Sequence, residues 1–304
     1  MKFVICLLCL LQVSITASVF GETLVWTDKD AVAVWKSNPD GSNPVQLYGS
    51  MDGLQDPRGI AVDPVTNTLF LADQDTNTIY QGDLVGSPLT PLISGLNAPA
   101  DLVLKGGTLY WAEQNGNRIR SAAADGSGVT DIVTGLNEPY YLDVDPLDQR
   151  VYWSDFDSGT IHTAAVADGQ AADLISGLVR VRDVELDLDN GKVYWADRDR
   201  PDIRRQNLDG TGVETLFAAA DGLGRPHGLW LDPVGGMIYW TDTTTGDVVR
   251  GNMDGFGAPE IISNGPSSNG PWAIQLVVPE PIMGTWLLVA FTAIAMTRRR
   301  MIGP

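Results

Sequence analysis

The chain is predicted to be all-β: a six-bladed β-propeller of four-stranded blades, closed into a ring by strand 272–277 pairing with 24–28. Three observations predict it. A β-rich pentad ending in an acid recurs six times, as LVWTD (24–28), LFLAD (69–73), LYWAE (109–113), VYWSD (151–155), VYWAD (193–197) and IYWTD (238–242). The central residues of these pentads are spaced 45, 40, 42, 42 and 45 apart, a period that suits four strands per repeat. Finally, the first pentad has no strand before it and the last strand, at 272–277, has no pentad after it, so each supplies what the other lacks.

Within one period the strands follow in order. The innermost strand begins at or just after a proline in most repeats: RGIAVD (58–63), ADLVLK (100–105), YYLDVD (140–145), RDVELD (182–187), HGLWLD (227–232) and WAIQLV (272–277). A tight turn such as Asp63-Pro64 or Asp232-Pro233 leads to the pentad strand, whose β-branched and aromatic residues suit a buried sheet. A third strand follows (IRSAAADG or IRRQNLDG, for example), most copies ending in Asp-Gly at 40–41, 125–126, 168–169, 209–210 and 254–255. Asp-Gly marks a hairpin because glycine accepts positive φ without steric cost. An outer strand such as DIVTGL (131–136) or ADLISGL (172–178) completes the unit. Blade two departs most, with Phe70-Leu71 for the aromatic pair and Val85 where Asp-Gly would begin.

The tetrads Tyr-Trp-x-Asp at 152–155, 194–197 and 239–242, with Trp-Thr-Asp at 26–28, resemble the YWTD repeats of the low-density lipoprotein receptor family. The Ile-Arg…Asn-Leu-Asp-Gly run at 203–210 fits that family too, and Glu113 replaces the acid in blade three. The resemblance implies a propeller that binds protein ligands on one face. It lacks the disulfide-rich modules that flank such propellers in animals. The aromatic pairs are read as packing between wedge-shaped sheets. The pentad acids are read as hydrogen-bond acceptors or partners of arginines from neighbouring blades, with Arg120, Arg204 and Arg250 recurring near the right place.

The two ends carry different signals. Residues 1–21 are expected to be a secretory signal peptide: Lys2, an apolar run from 3 to 13, then small residues. Both cysteines, Cys6 and Cys9, fall within it, so no thiol nucleophile or disulfide framework is expected after cleavage. Residues 279–304 begin Pro279-Glu280-Pro281, continue into 15 largely apolar residues (282–296), and then carry Arg298, Arg299 and Arg300. This resembles a PEP-CTERM sorting signal, which implies transient residence in the inner membrane, cleavage by an exosortase, and release to the cell surface or extracellular matrix. A simple tail anchor is the alternative, though the apolar run is short for one. Setting aside Lys2, the three terminal arginines and Glu280 leaves 16 basic and 37 acidic residues in 22–278, a net charge of −21. Such a surface argues against nucleic acid as a partner and tolerates Ca2+ or cationic ligands.

Chemistry is sparse. There are two histidines, His162 and His227, in different blades, and no phosphate loop or Cys/His cluster. The run DQDTNT (73–78) lacks the glycine and bidentate glutamate of an EF-hand loop. Acid pairs at Asp28/Asp30, Asp73/Asp75, Asp155/Asp157 and Asp197/Asp199, with Glu113/Asn115 in blade three, are read as turn-stabilising, with Ca2+ the sharper alternative. The central positions of the innermost strands align as Ala61, Val103, Asp143, Glu185, Trp230 and Gln275. Facing a channel, Asp143, Glu185 and Gln275 could hold water or a divalent metal, as in six-bladed propeller lactonases; that analogy rests on fold alone. The channel mouth is expected to be lined by Arg58, Asp101, Tyr140, Arg182, His227 and Trp272, the favoured place for a ligand. Three functional readings follow: a non-enzymatic binder of an extracellular protein or polysaccharide, a metal-dependent lactonase or hydrolase, and a structural matrix component without a specific ligand.

Overall fold

The pentad strands are buried along both faces, which only a stack of sheets allows, and the chain builds that stack radially. A computed structural model describes residues 21–157, 159–264 and 270–278. They form six four-stranded antiparallel sheets. The innermost strands are Pro271–Val277, Pro57–Asp63, Pro99–Lys105, Pro139–Asp145, Val181–Asp187 and Pro226–Asp232 in blades one to six. Beside them lie the pentad strands Thr23–Asp28, Thr68–Asp73, Thr108–Glu113, Arg150–Asp155, Lys192–Asp197 and Met237–Asp242. The only helical elements among the described residues are two three-residue 3-10 turns, Ser50–Asp52 and Ala219–Asp221, and no helix there is long and apolar enough to cross a membrane. The expected signal peptide and sorting signal lie outside the described residues, apart from Gly21.

Ring closure is as expected. Thr23 pairs with Val277, Leu24 with Leu276, Val25 with Gln275 and Trp26 with Ile274, so blade one is built from both ends of the unit formed by residues 22–278. That unit holds every described strand and its own core, the properties of an autonomously folding domain. The Asp-Gly hairpins behave as glycine chemistry requires, with positive φ at each (Gly210 at 87°, Gly126 at 81°). Blade two keeps the turn glycine as Gly86 (φ 87°) and moves the acid: Asp83 Oδ1 accepts the N–H groups of Val85, Gly86 and Ser87.

The core lies between blades rather than within any one of them. Trp26, Trp111, Trp153, Trp195 and Trp240 are essentially fully buried. Each apolar cluster joins neighbours: Tyr194, Ile203 and Phe217 of blade five pack with Leu229 and Trp240 of blade six. Polar links bind the same seams. Thr27, Ser154 and Thr241, next to the pentad acids, donate their hydroxyls to the carbonyls of Arg58, Arg182 and Trp272 in the following blade.

Three of the pentad acids share one role, and it differs in part from expectation. Asp73 accepts Gln55, Asp56 and Thr76 N–H groups; Asp197 accepts Val179, Arg180 and Arg200; Asp242 accepts Gly224, Arg225 and Thr244. Each acid therefore clamps the loop that delivers the chain into its own blade. Of the three arginines expected to pair with pentad acids, only Arg120 does, joining Arg118 on Glu113 of its own blade rather than a neighbour's; Arg204 and Arg250 pair instead with Asp202 and Glu260, which lie outside the pentads. The reason is register, since Arg120 lies directly across from Trp111 on the adjacent strand of one sheet. Of the acid pairs, the first member is buried and bonded, whereas the second is an ordinary surface charge: Asp30 sits beside Lys29, and Arg180 bridges Asp157 and Asp199.

His162, in blade four, packs flat on Trp153 (centroids 5.4 Å apart) with Nδ1 2.9 Å from Asp173 and Nε2 3.3 Å from Asp155. Burial opposes its charge, but Asp155 and Asp173 outweigh burial and hold its pKa above the ordinary 6.5. A pKa raised on folding gives stability that is full below 6.5 and lost as pH rises through the folded value. The difference in melting temperature between the native chain and His162→Gln should therefore shrink from pH 5.5 to pH 8.5; a difference that grows with pH would contradict this pairing.

Candidate functional site

Six innermost strands running side by side around one axis place equivalent residues in rings, and two of these rings were legible as candidate sites. The ring of Ala61, Val103, Asp143, Glu185, Trp230 and Gln275 does line one cavity, of about 50 Å³, within the channel. That volume is room for little more than ordered water. The expected cation ligands are already engaged. Asp143 accepts Val144 and Leu186 N–H groups and pairs with Lys105 Nζ at 2.8 Å. Gln275 Oε1 accepts Val62 N–H at 2.8 Å across the seam between blades one and two. Among the described residues no group of three or more His, Cys, Asp or Glu is arranged to hold a metal. The donor set therefore does not fit a divalent ion: the ammonium of Lys105 stands where a cation would be needed. Lys105 ends the innermost strand of blade three, and its length lets the charge reach back into the channel, which periodicity alone does not reveal.

These carboxylates lock the ring. Asp101 accepts Leu142 N–H, Asp143 accepts Leu186 and Asp183 accepts Leu229, each in the following blade. Burial, reinforced by the neighbouring carboxylates, pushes the pKa values of Asp101, Asp183 and Glu185 well above the carboxylate range.

The mouth differs from expectation in two ways. The residue after Pro99 is Ala100, so Asp101 belongs one layer deeper, level with Tyr141 and Asp183; the register shift between Pro99 and Leu102 recurs in the other innermost strands and leaves this alignment unchanged. The correct mouth ring is Arg58, Ala100, Tyr140, Arg182, His227 and Trp272. It does not surround an open concavity, because every one of these residues is buried, Arg182 and His227 completely. They meet as a plug. Arg58 donates from Nη1 to Tyr140 Oη at 2.9 Å and lies 4.3 Å from the Trp272 ring centre. Tyr140 meets Phe156 edge-on at 4.9 Å, and Arg182 lies 4.5 Å from the Phe156 ring centre, its Nη1 donating to the Phe156 carbonyl. His227 and Trp272 ring centres are 3.8 Å apart, and His227 Nδ1 is 2.6 Å from Tyr141 Oη, from two blades away. Such closeness needs glycine behind it: a Cβ on Gly228 would lie 2.2 Å from the Trp272 carbonyl oxygen, and one on Gly59 2.6 Å from Asp101 Cα.

Positive charge gathers here on an otherwise acidic molecule. Burial and the charges of Arg182, Arg198, Arg58 and Lys29 hold the His227 pKa well below its ordinary value. With Arg180 and Arg225, six of the 16 basic residues of 22–278 surround this mouth. Arg198 directly follows the pentad acid of blade five, and Phe156 holds the same place in blade four. Aligning the residue after each acid (Lys29, Gln74, Gln114, Phe156, Arg198, Thr243) would have brought them into view.

The fold and its axial site define a six-bladed β-propeller. Among solved structures, the crystal structure of a nidogen/laminin complex contains a chain matched with a TM-score of 0.72 at 18% identity, over 86% of this chain and all of that one. A streptogramin B lyase structure is matched with a TM-score of 0.55 at 16% identity, over 70% of each chain. At these identities the likeness is one of fold. No family model and no curated protein matches the sequence.

Proposed function

We propose that the chain is an exported, non-enzymatic propeller that binds a protein or polymer ligand at the cell exterior through the face bearing the channel mouth and the acid-pair loops. The observation that carries this reading is the gathering of six cationic side chains around one axial plug on a domain of net charge −21, three of which, Arg182, Arg198 and Arg225, have no ion-pair partner among the described residues. A basic focus of this kind raises the local concentration of an oppositely charged group. The expected leader and the PEP-containing tail support export, with an exosortase as a transient partner. One structural neighbour comes from a protein–protein complex, which is consistent with binding and assigns no ligand to this chain.

Charge reversal tests it. Arg225 is exposed at the mouth, and Val234 is fully exposed in the turn after Asp232, at the opposite end of its strand. Arg225→Glu should abolish retention of the purified chain on extracellular matrix from the producing cells, while Val234→Glu should not. Equal retention of both variants would instead fit a structural matrix component. Metal content, measured by plasma mass spectrometry, is expected to be well below one divalent ion per chain. Stoichiometric metal lost in Asp143→Ala/Glu185→Ala would sink the non-enzymatic reading and restore the hydrolase.

A further inference from the structure

The plug is unusual in what it leaves unbonded. Arg182 Nε and Nη2, Arg58 Nε, His227 Nε2 and Trp272 Nε1 are buried and have no hydrogen-bond partner. All five can donate. His227 Nδ1 and the Tyr141 hydroxyl share a hydrogen bond, and His227 donates from Nε2 in the tautomer that takes the Tyr141 proton at Nδ1. Buried donors without acceptors are costly, and in most proteins such groups are satisfied. Here five belong to side chains gathered around Tyr140, with no carboxylate within ion-pairing distance of Arg182 among the described residues. Asp56 pairs with Arg58, and Asp157 and Asp199 pair with Arg180, but Arg198 and Arg225 make no ion pair there either. The site is short of an acceptor carrying negative charge.

We propose that this cluster receives a carboxylate: the side chain of an aspartate or glutamate presented by a protein partner, held between Arg182, His227 and Trp272. The proposal rests on the binding reading above and names the ligand chemistry. A carboxylate offers two oxygens in the plane that an arginine fork matches, and it is an acceptor only, as the five donors require. Phe156, half-buried and stacked on Arg182, must turn aside to admit it. Arg198 and Arg225 supply the outer field that draws it in. A single acidic side chain is favoured over a polyuronate because the field of the whole domain repels a long polyanion, whereas a lone carboxylate meets chiefly the local arginines.

The test uses the full chain in mild detergent, labelled with 15N at arginine and tryptophan, and follows the Arg182 Nε–H and Trp272 Nε1–H signals. The probes, at constant ionic strength, are acetate, inorganic phosphate, the blocked peptide Gly-Gly-Asp-Gly-Gly, its Asn counterpart, and oligogalacturonate. Saturable shifts are expected with acetate and the Asp peptide and not with the Asn peptide. Binding should weaken about tenfold in Arg198→Gln/Arg225→Gln, the scale of one lost charge-assisted contact, and vanish in Arg182→Met. If Arg182→Met fails to fold, the double variant decides. Several results would overturn the proposal: no saturable shift with acetate or the Asp peptide, binding unchanged in the double variant, tighter binding of phosphate than of acetate, or binding of oligogalacturonate in preference to the Asp peptide. Loss of matrix retention in Arg225→Glu without any acetate effect would leave the binding face standing and remove only the carboxylate.

Discussion

Deleting Pro271–Val277 is expected to abolish cooperative unfolding and leave the chain aggregated or unfolded. All seven residues of this strand are buried. Trp272, Ile274, Leu276 and Val277 alone remove apolar surface worth about 1.5–3 kcal/mol each, and the ladder to Thr23–Asp28 adds a full strand of backbone hydrogen bonds. The sum is comparable with the entire stability of a domain, about 5–15 kcal/mol. The strand's loss also strips the axial plug of Trp272 and breaks the Gln275–Val62 and Thr241–Trp272 links to both neighbouring blades. Differential scanning calorimetry and size-exclusion chromatography report the outcome. A sharp transition and a monomeric peak in the deletion variant would mean that five blades suffice. Deletion of 279–304 is the control, since it leaves every described strand in place.

The second large effect is expected at Asp242. Its carboxylate is 3% exposed and accepts three backbone N–H groups, from Gly224 at 2.6 Å, Arg225 at 3.0 Å and Thr244 at 2.9 Å. Asp242→Ala strands all three donors. At 1–3 kcal/mol for each, with partial rescue by water, the cost should be about 3–5 kcal/mol. For a domain of this size that lowers the melting temperature by roughly 10 °C. Asp242→Asn should recover only part of the loss, because one of its two side-chain heteroatoms becomes a donor facing donors. A change under about 2 °C in the alanine variant would show that the loop before Pro226 is held by other contacts.

The architecture was legible because a propeller repeats its chemistry: six pentads in register report the strands, their order and the orphaned first and last members. The site was not, for reasons that particular residues show. Asp101 is the second residue of its strand after Pro99, one place beyond the position the other five occupy, and so lies a layer inward, where it bonds Leu142. Arg58, Tyr140, Arg182, His227 and Trp272 do lie together, yet a repeat pattern carries no signal that their side chains would fill the opening they surround. The channel acids were found without Lys105, whose charge arrives from the far end of its strand and cancels the metal reading. The arginines of the rim lie in loops, outside the periodic strands, so only their spatial convergence reveals them.

Closing blade one with the two ends of the domain also has a consequence in time. Thr23 meets Val277 across the longest separation in the unit, whereas every other blade can be assembled from residues within one repeat. Loop closure over some 250 residues costs roughly 3 kcal/mol more in entropy than closing a ten-residue hairpin. The join therefore cannot form while the last repeat is still being delivered, and blades two to six must wait with two raw flanks until it does. Folding should show a slow final phase whose rate depends on the pairing of Thr23–Asp28 with Pro271–Val277. During that phase the half-built ring is exposed to pairing with another copy of itself, and a chain crossing a membrane unfolded would reach its last strand only on the far side.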